Sequence, residues 1–297
     1  MELNQDYTSR FINKLNESYK IFFETPTLLD NKMNKDLVKS KDSNELIEKG
    51  IITKKIIEED KKLLNDHLIE KINSIREEIN LIPEGKKIKF KNFNKPLDSD
   101  QFTEVYKICQ KILFNMGVFD IFQELLLKKY KIKSCFLQLN NKKISSYLYQ
   151  SLNENNLPSN NIYEYMHIDS KIKPRLKVLL YLNHINENNG PFLYSLGSNH
   201  DQDYFEKLIR KSNDNLDPSQ EEFKSLPLYF QKHTLFSFNQ DQLLLNLEFL
   251  KKCLEKEFSV IGSDDLILFD PDGVHRGGIV KEGERILLQI LFEEDKV

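Results

Sequence analysis

From residue 133 onward the chain is punctuated into short apolar runs, and this punctuation limits the possible folds more than any other feature. Lys133 to Leu139, Asn161 to Asp169, Leu176 to Asn183 and Pro191 to Leu196 are rich in Val, Ile, Leu, Phe and Tyr, with clusters of Asn, Pro, Gly and Ser between them. Such runs read as antiparallel strands, and such clusters as turns. Asp265 to Asp270 and Glu284 to Phe292 resume the pattern across a stretch holding Pro271, Asp272, Gly273, Gly277 and Gly278, all turn-forming types. Many short strands joined in this way predict a jelly roll or barrel.

The first third has a different rhythm. Between about Asp30 and Glu84 the chain is dense in Lys and Glu, and Leu46, Ile47, Ile51, Ile56, Ile57, Leu63, Leu64, Leu68, Ile72 and Ile75 fall near helical spacing. That pattern predicts amphipathic helices, with the charges on solvated faces. A second helical stretch runs from roughly Asp100 to Lys129. The expected organisation is a mainly helical region at 1–130 packing on a β core at 131–297. An insertion at about 201–256 interrupts the core, with helices at Tyr204 to Lys211 and Gln240 to Leu254 and a strand at His233 to Phe238. No internal repeat is visible, so a solenoid is not expected.

Composition narrows the partners. A chain of 297 residues, 39% hydrophobic and 30% charged, can enclose a sizeable core and suits a globular protein rather than a disordered one. Lys and Arg total 43 against 46 acidic residues, a net charge of −3, so no global positive field favours nucleic acid or an anionic membrane. Met1 to Phe11 carries acidic and polar residues where a signal peptide needs a basic start and an apolar run, and a cytoplasmic location is expected. Cys109, Cys135 and Cys253 are odd in number and widely spaced, which argues against a disulfide framework or a thiolate zinc site.

The chemistry is concentrated in four residues. If Asn161 to Asp169 is a strand, Tyr163, Tyr165, His167 and Asp169 share one face, bringing an imidazole and a carboxylate onto the same surface. Together they suit ferrous iron. His275, after the strand Leu266 to Phe269 and the Pro271-Asp272-Gly273 turn, is the expected third ligand. Two histidines and one carboxylate on one side of a metal leave positions open for a chelating co-substrate and dioxygen. In the last strand Arg285, Leu287, Gln289 and Leu291 alternate with Ile286, Leu288, Ile290 and Phe292. An inward Arg285 requires an anion, and its fork matches a carboxylate.

Across roughly Lys133 to Phe292 the chain resembles the phytanoyl-CoA dioxygenase family, within the iron(II)/2-oxoglutarate-dependent oxygenases. The resemblance rests on His167-Ile168-Asp169, Asn189-Gly190-Pro191-Phe192 followed by Gly197-Ser198-Asn199-His200, His275 with Gly277, and Arg285. It implies a double-stranded β-helix, iron held by His167, Asp169 and His275, and 2-oxoglutarate anchored by Arg285. The expected activity is hydroxylation of a small metabolite by dioxygen, with release of succinate and carbon dioxide. The chain departs from the family in the Gly-Ser loop, where Leu196 replaces a common proline and Asn199 intervenes before His200.

Other residues are candidates for the walls. Gln289 shares the face of Arg285. Gln138 lies with Phe136 and Asn140 on one side of the first core strand, and that side is open to either direction. Both glutamines are candidate co-substrate contacts. Tyr163, Tyr165, Lys171, Lys173 and Arg175 are candidate substrate contacts; the cations, with Lys177, recur at alternate positions after Asp169 and point to an anionic substrate, against the simpler reading of a solvated basic loop. His184 and His233 are read as structural or surface residues, and His67 as exposed. Two other activities suit the same fold: a non-catalytic jelly-roll binding protein, and a metal-dependent isomerase or hydrolase, which has no evident need for Arg285.

Overall fold

The computed structural model describes residues 9, 11–17, 19–20, 39–83, 86, 88–145, 163, 165–169, 176–214, 216–262 and 265–295. Among these, two antiparallel sheets are built from β1 (Ile51–Lys54), β2 (Asn94–Leu97), β3 (Tyr130–Asn141), β4 (Lys177–Tyr181), β5 (Phe192–Ser195), β6 (Glu257–Val260), β7 (Leu266–Phe269), β8 (His275–Gly277) and β9 (Glu284–Glu294). The larger sheet has the order β1-β7-β4-β9-β3-β2 and the smaller β6-β5-β8. Neighbours in each sheet come from distant parts of the chain, as in a double-stranded β-helix.

The pleat of the larger sheet sorts its side chains onto two cores. Cys135, Leu137 and Leu139 of β3, Val178 and Leu180 of β4, Leu266 and Leu268 of β7, and Ile286, Leu288 and Ile290 of β9 all belong to one buried cluster. Helices cover this face: α1 (Lys41–Lys49), α2 (Glu58–Leu81), α3 (Thr103–Asn115) and α4 (Val118–Leu126). Leu64, Leu68, Ile72, Ile75 and Ile79 of α2 are buried against it, three or four residues apart, so one stripe of the helix carries the contact. The alternate residues Leu179, Tyr181, Ile267, Phe269 and Leu287 face inward and meet Phe192, Tyr194 and Val260 of the smaller sheet in a second core.

Strands arise at most of the apolar runs, with several differences: the described residues of Asn161 to Asp169 form no strand, only an isolated bridge at His167, and β2 lies outside every run that was read. Ile51–Lys54 lies inside the stretch expected to be helical, yet pairs with Phe269 to Leu266 of β7; three β-branched residues, Ile51, Ile52 and Thr53, and a partner over two hundred residues away outweigh the helical spacing around it. His233 to Phe238 is no strand, and of it only Leu235 forms a bridge, to His167. Glu257–Val260 is a strand that the composition did not mark, paired with β5. Between β5 and β6 the excursion carries α5 (Tyr204–Asn213) and α6 (Gln240–Glu255). Among the described residues, no helix is long and apolar enough to cross a membrane.

Candidate metal centre

The turn before β8 is locked from beneath. Tyr194, fully buried on β5, donates its hydroxyl to the Asp270 carbonyl at 2.9 Å. Gly50 and Gly273 close around that hydroxyl, and a Cβ at Gly273 would lie 1.8 Å from it. The Gly-Ser loop supplies the second clamp: Ser198 Oγ accepts the Val274 N–H at 2.7 Å and donates to the Ser195 carbonyl at 2.6 Å. Asn199 Nδ2 donates to Asp270 Oδ2 at 3.1 Å. The Gly-Ser loop therefore holds the approach to His275.

His275 and His167 face each other as a bridge pair, each backbone N–H donating to the other's carbonyl, at 2.9 and 3.1 Å. Asp169 is tethered beside them by its N–H to the Pro271 carbonyl at 2.9 Å. The two imidazole centroids are 4.3 Å apart, and His275 Nε2 lies 3.6 Å from Asp169 Oδ1. One ligand atom from each of the three residues falls within 4.8 Å of the others, the single such grouping among the described residues.

Protonation fits the same purpose. His167 Nδ1 is 2.7 Å from the Tyr165 carbonyl and His275 Nδ1 is 2.8 Å from the Gly273 carbonyl. A carbonyl only accepts, so each Nδ1 carries a proton, and Nε2 is the ring nitrogen left to face a metal. Burial, reinforced by His275, lowers the His167 pKa to about 4, which keeps that ring neutral at ordinary pH. Burial works to raise the Asp169 carboxyl, but the His275 hydrogen bond and the charge of Lys177 outweigh it and hold it below the usual carboxylate range. Two imidazoles and one carboxylate form a donor set suited to a divalent ion with three further positions.

Arg285 enters from the neighbouring sheet. Its inner face is shared with Leu287, and its guanidinium lies against Gly277, where a Cβ would be 2.7 Å from Nη2. Gly277 is two residues beyond His275, about 7 Å along a strand. Nη1 donates to the carbonyls of Gly190 and Gly278, whereas the buried Nε has no partner. Among the described residues no carboxylate pairs with this arginine, although it is only 6% exposed. Burial accordingly lowers its pKa, opposed by Tyr181.

Asn140 is the residue the sequence reading passed over. It is directly opposite Arg285 in the β3–β9 register, is 4% exposed, and its Nδ2 is also buried without a partner. The signal was available, because Asn140 shares the face of Gln138 and Phe136. Gln138, opposite Leu287, has the inner face that had been left open, one pair along from Asn140. Gln289 shares that face four residues from Arg285, about 13 Å along the strand. Both glutamines are only partly buried.

Tyr163 and Tyr165 are placed differently from the strict alternation. Tyr165 has a left-handed φ of 56°, which turns the chain, and both rings pack against the cluster of Met166, Ile168, Phe236 and Val274. Alternation holds only from Met166 to Asp169. Lys171, Lys173 and Arg175 lie outside the described residues. Lys177, at the start of β4, points inward and contacts Asp169 Oδ2. His233 Nδ1 accepts the Leu235 N–H at 3.0 Å, a backbone role; His184 and His67 are exposed.

No family model matches the sequence, and no curated protein matches it. Solved structures do share its outline. EctD from S. alaskensis, solved with 2-oxoglutarate and 5-hydroxyectoine, is 12% identical with a TM-score of 0.48, over 88% of this chain and 78% of that one. HygX from Streptomyces hygroscopicus, solved with nickel and 2-oxoglutarate, is 12% identical with a TM-score of 0.45, over 86% and 88%. SnoN, a non-heme alpha-ketoglutarate-dependent epimerase from nogalamycin biosynthesis, is 9% identical with a TM-score of 0.43, over 85% and 81%. These identities are too low to transfer an activity.

Proposed function

We propose that the protein is an iron(II)- and 2-oxoglutarate-dependent oxygenase that hydroxylates a small metabolite. The observation that carries this reading is the pairing of two sites along β8: a His-Asp-His group at His275, and, beside Gly277, a buried guanidinium with no anionic partner among the described residues. A metal-only hydrolase or isomerase requires the first and has no use for the second. A five-carbon diacid with a metal-chelating head fits both, since its tail carboxylate meets the guanidinium while its head reaches the metal. The order of the motifs, similar to that of the phytanoyl-CoA dioxygenase family, supports the same reading.

In this scheme His167, Asp169 and His275 hold the metal, and Arg285 binds the tail carboxylate. Asn140 Nδ2 adds a donor from the opposite strand, and Gln138 lies next along that wall. Gln289 lines the more open end of the same face. Bound iron and 2-oxoglutarate would supply the power to activate dioxygen, with succinate and carbon dioxide as by-products. Leu179, Phe192, Phe269 and Leu287, packed around this site, keep bulk water from it, and a drier site strengthens the charge pairing at Arg285.

The test is anaerobic loading with ferrous iron and 2-oxoglutarate, following the metal-to-ligand charge-transfer absorption. The wild type is expected to develop the band, and Arg285→Ala to lose it at 2-oxoglutarate concentrations that saturate the wild type. Wild-type protein that binds iron but never develops the band would exclude the reading. Turnover-coupled succinate release then separates the oxygenase from a non-catalytic jelly roll.

A further inference from the structure

The metal-site carboxylate is shared with a cation that the three-ligand scheme does not use. Asp169 Oδ1 faces His275 Nε2 at 3.6 Å, on the side where the ligand atoms of His167, Asp169 and His275 come together. Asp169 Oδ2 is in contact with Lys177 Nζ. The two oxygens are therefore assigned to different partners: one to the metal position and the other to an ammonium group. Lys177 is well placed to enforce that division, because β4 is hydrogen-bonded to β7 on one side and to β9 on the other. Its side chain is 18% exposed and that of Asp169 14%, so the ion pair is shielded from bulk water and its attraction is screened less than on the surface.

A carboxylate that is free on both sides can chelate a metal through both oxygens and take an extra coordination position. Two histidines and a one-oxygen carboxylate leave three positions, which a chelating co-substrate and dioxygen together need. We propose that Lys177 is a positioning residue that restricts Asp169 to one-oxygen coordination and so keeps the third position available. The proposal rests on the reading of His167, Asp169 and His275 as a metal centre. It also gives the fourth member of the basic series after Asp169 a role distinct from substrate charge.

Cobalt(II) is a suitable probe, as it occupies such sites without redox chemistry. Dissociation constants for cobalt(II), and for 2-oxoglutarate on the cobalt-loaded full-length protein, are compared among wild type, Lys177→Met, which keeps the aliphatic stem, and Lys177→Arg, which keeps the charge. For Lys177→Met we expect cobalt(II) to bind no more weakly than to wild type, because the carboxylate is released to the metal, while 2-oxoglutarate binds about tenfold more weakly, the lower end of the effect of losing an outer-shell partner. Lys177→Arg is expected to restore most of the loss. A structural prop would instead weaken both ligands together. Weaker cobalt(II) binding by Lys177→Met, or unchanged 2-oxoglutarate binding, overturns the proposal. A wild type that binds no cobalt(II) or iron(II) overturns the metal reading as well, which distinguishes the two failures. A structure of the cobalt-loaded wild type decides independently of the variants: one Asp169 oxygen on the metal with Lys177 on the other supports the proposal, and two oxygens on the metal, or Lys177 turned away, overturns it.

Discussion

Asp270 lies buried in the turn that presents His275, and its carboxyl titrates unusually. Burial, and then repulsion from Asp272, push it up to about 6 against the opposing pull of Lys207. Because this is above its ordinary value, the folded protein binds the proton more tightly than the unfolded chain. The stabilisation is complete below about pH 4 and is lost as pH rises through about 6. Asp270→Asn should remove that slope. Its amide oxygen can still accept the Asp272 N–H, now 2.9 Å from Oδ1. Its new donor can meet Asn199 Oδ1, which is buried without a partner, once the Asn199 amide rotates. Urea midpoints at pH 4, 5, 6 and 7 should fall across this window for wild type and less steeply for the variant; equal slopes would assign the titration elsewhere. At this scale the sequence was informative about residue type and face. His167, Asp169, His275 and Arg285 could be picked out because their types are chemically demanding and their spacing matches a pleat. Asn140 escaped because an asparagine beside a turn usually makes local hydrogen bonds; only its lack of a partner distinguishes it.

At the scale of elements, β8 is three residues long yet links the two sites, with His275 at one end and Gly277 against Arg285 at the other. Gly277→Ala would force a methyl group to within 2.7 Å of Nη2 and 3.2 Å of Nη1. We expect it to raise the 2-oxoglutarate dissociation constant by about tenfold, a change of about 1.4 kcal/mol, while metal affinity stays within about twofold. Isothermal titration with each ligand separates the two effects. An equal loss of metal binding would mean that the substitution unseats His275 instead. Long, strongly patterned elements such as α2 and β9 could be read from periodicity alone. The run ending at Asp169 could be read only from Met166 onward, because the left-handed turn at Tyr165 breaks the alternation just before it. Leu235 is similar: a residue in a run expected to be a strand is held instead by a single bridge to His167, and no local preference encodes that pairing.

At the scale of the molecule, the His167, Asp169 and His275 grouping joins residues 108 positions apart, and Arg285 approaches it from the other sheet. A ligand bound only by the folded protein stabilises it by mass action, about 2.7 kcal/mol at a hundredfold excess over Kd. For a chain of this size that corresponds to a rise in Tm of about 5 °C. Anaerobic iron(II) should produce such a rise, 2-oxoglutarate a further rise only once metal is present, and a chelator should reverse both. In Arg285→Ala the first increment should persist and the second should vanish; a second increment of wild-type size would show that the co-substrate is held elsewhere. The sequence by itself determined which stretches alternate, which are amphipathic helices, and which few residues are of chemically demanding types, because these depend on side-chain type and on spacing within one element. The tertiary structure alone decided that Lys177 reaches Asp169, that Asn140 lies across from Arg285, and that the Gly-Ser loop clamps the His275 turn. Each of these joins separate elements, and such contacts depend on how strands far apart in sequence come into register, which spacing along the chain does not specify.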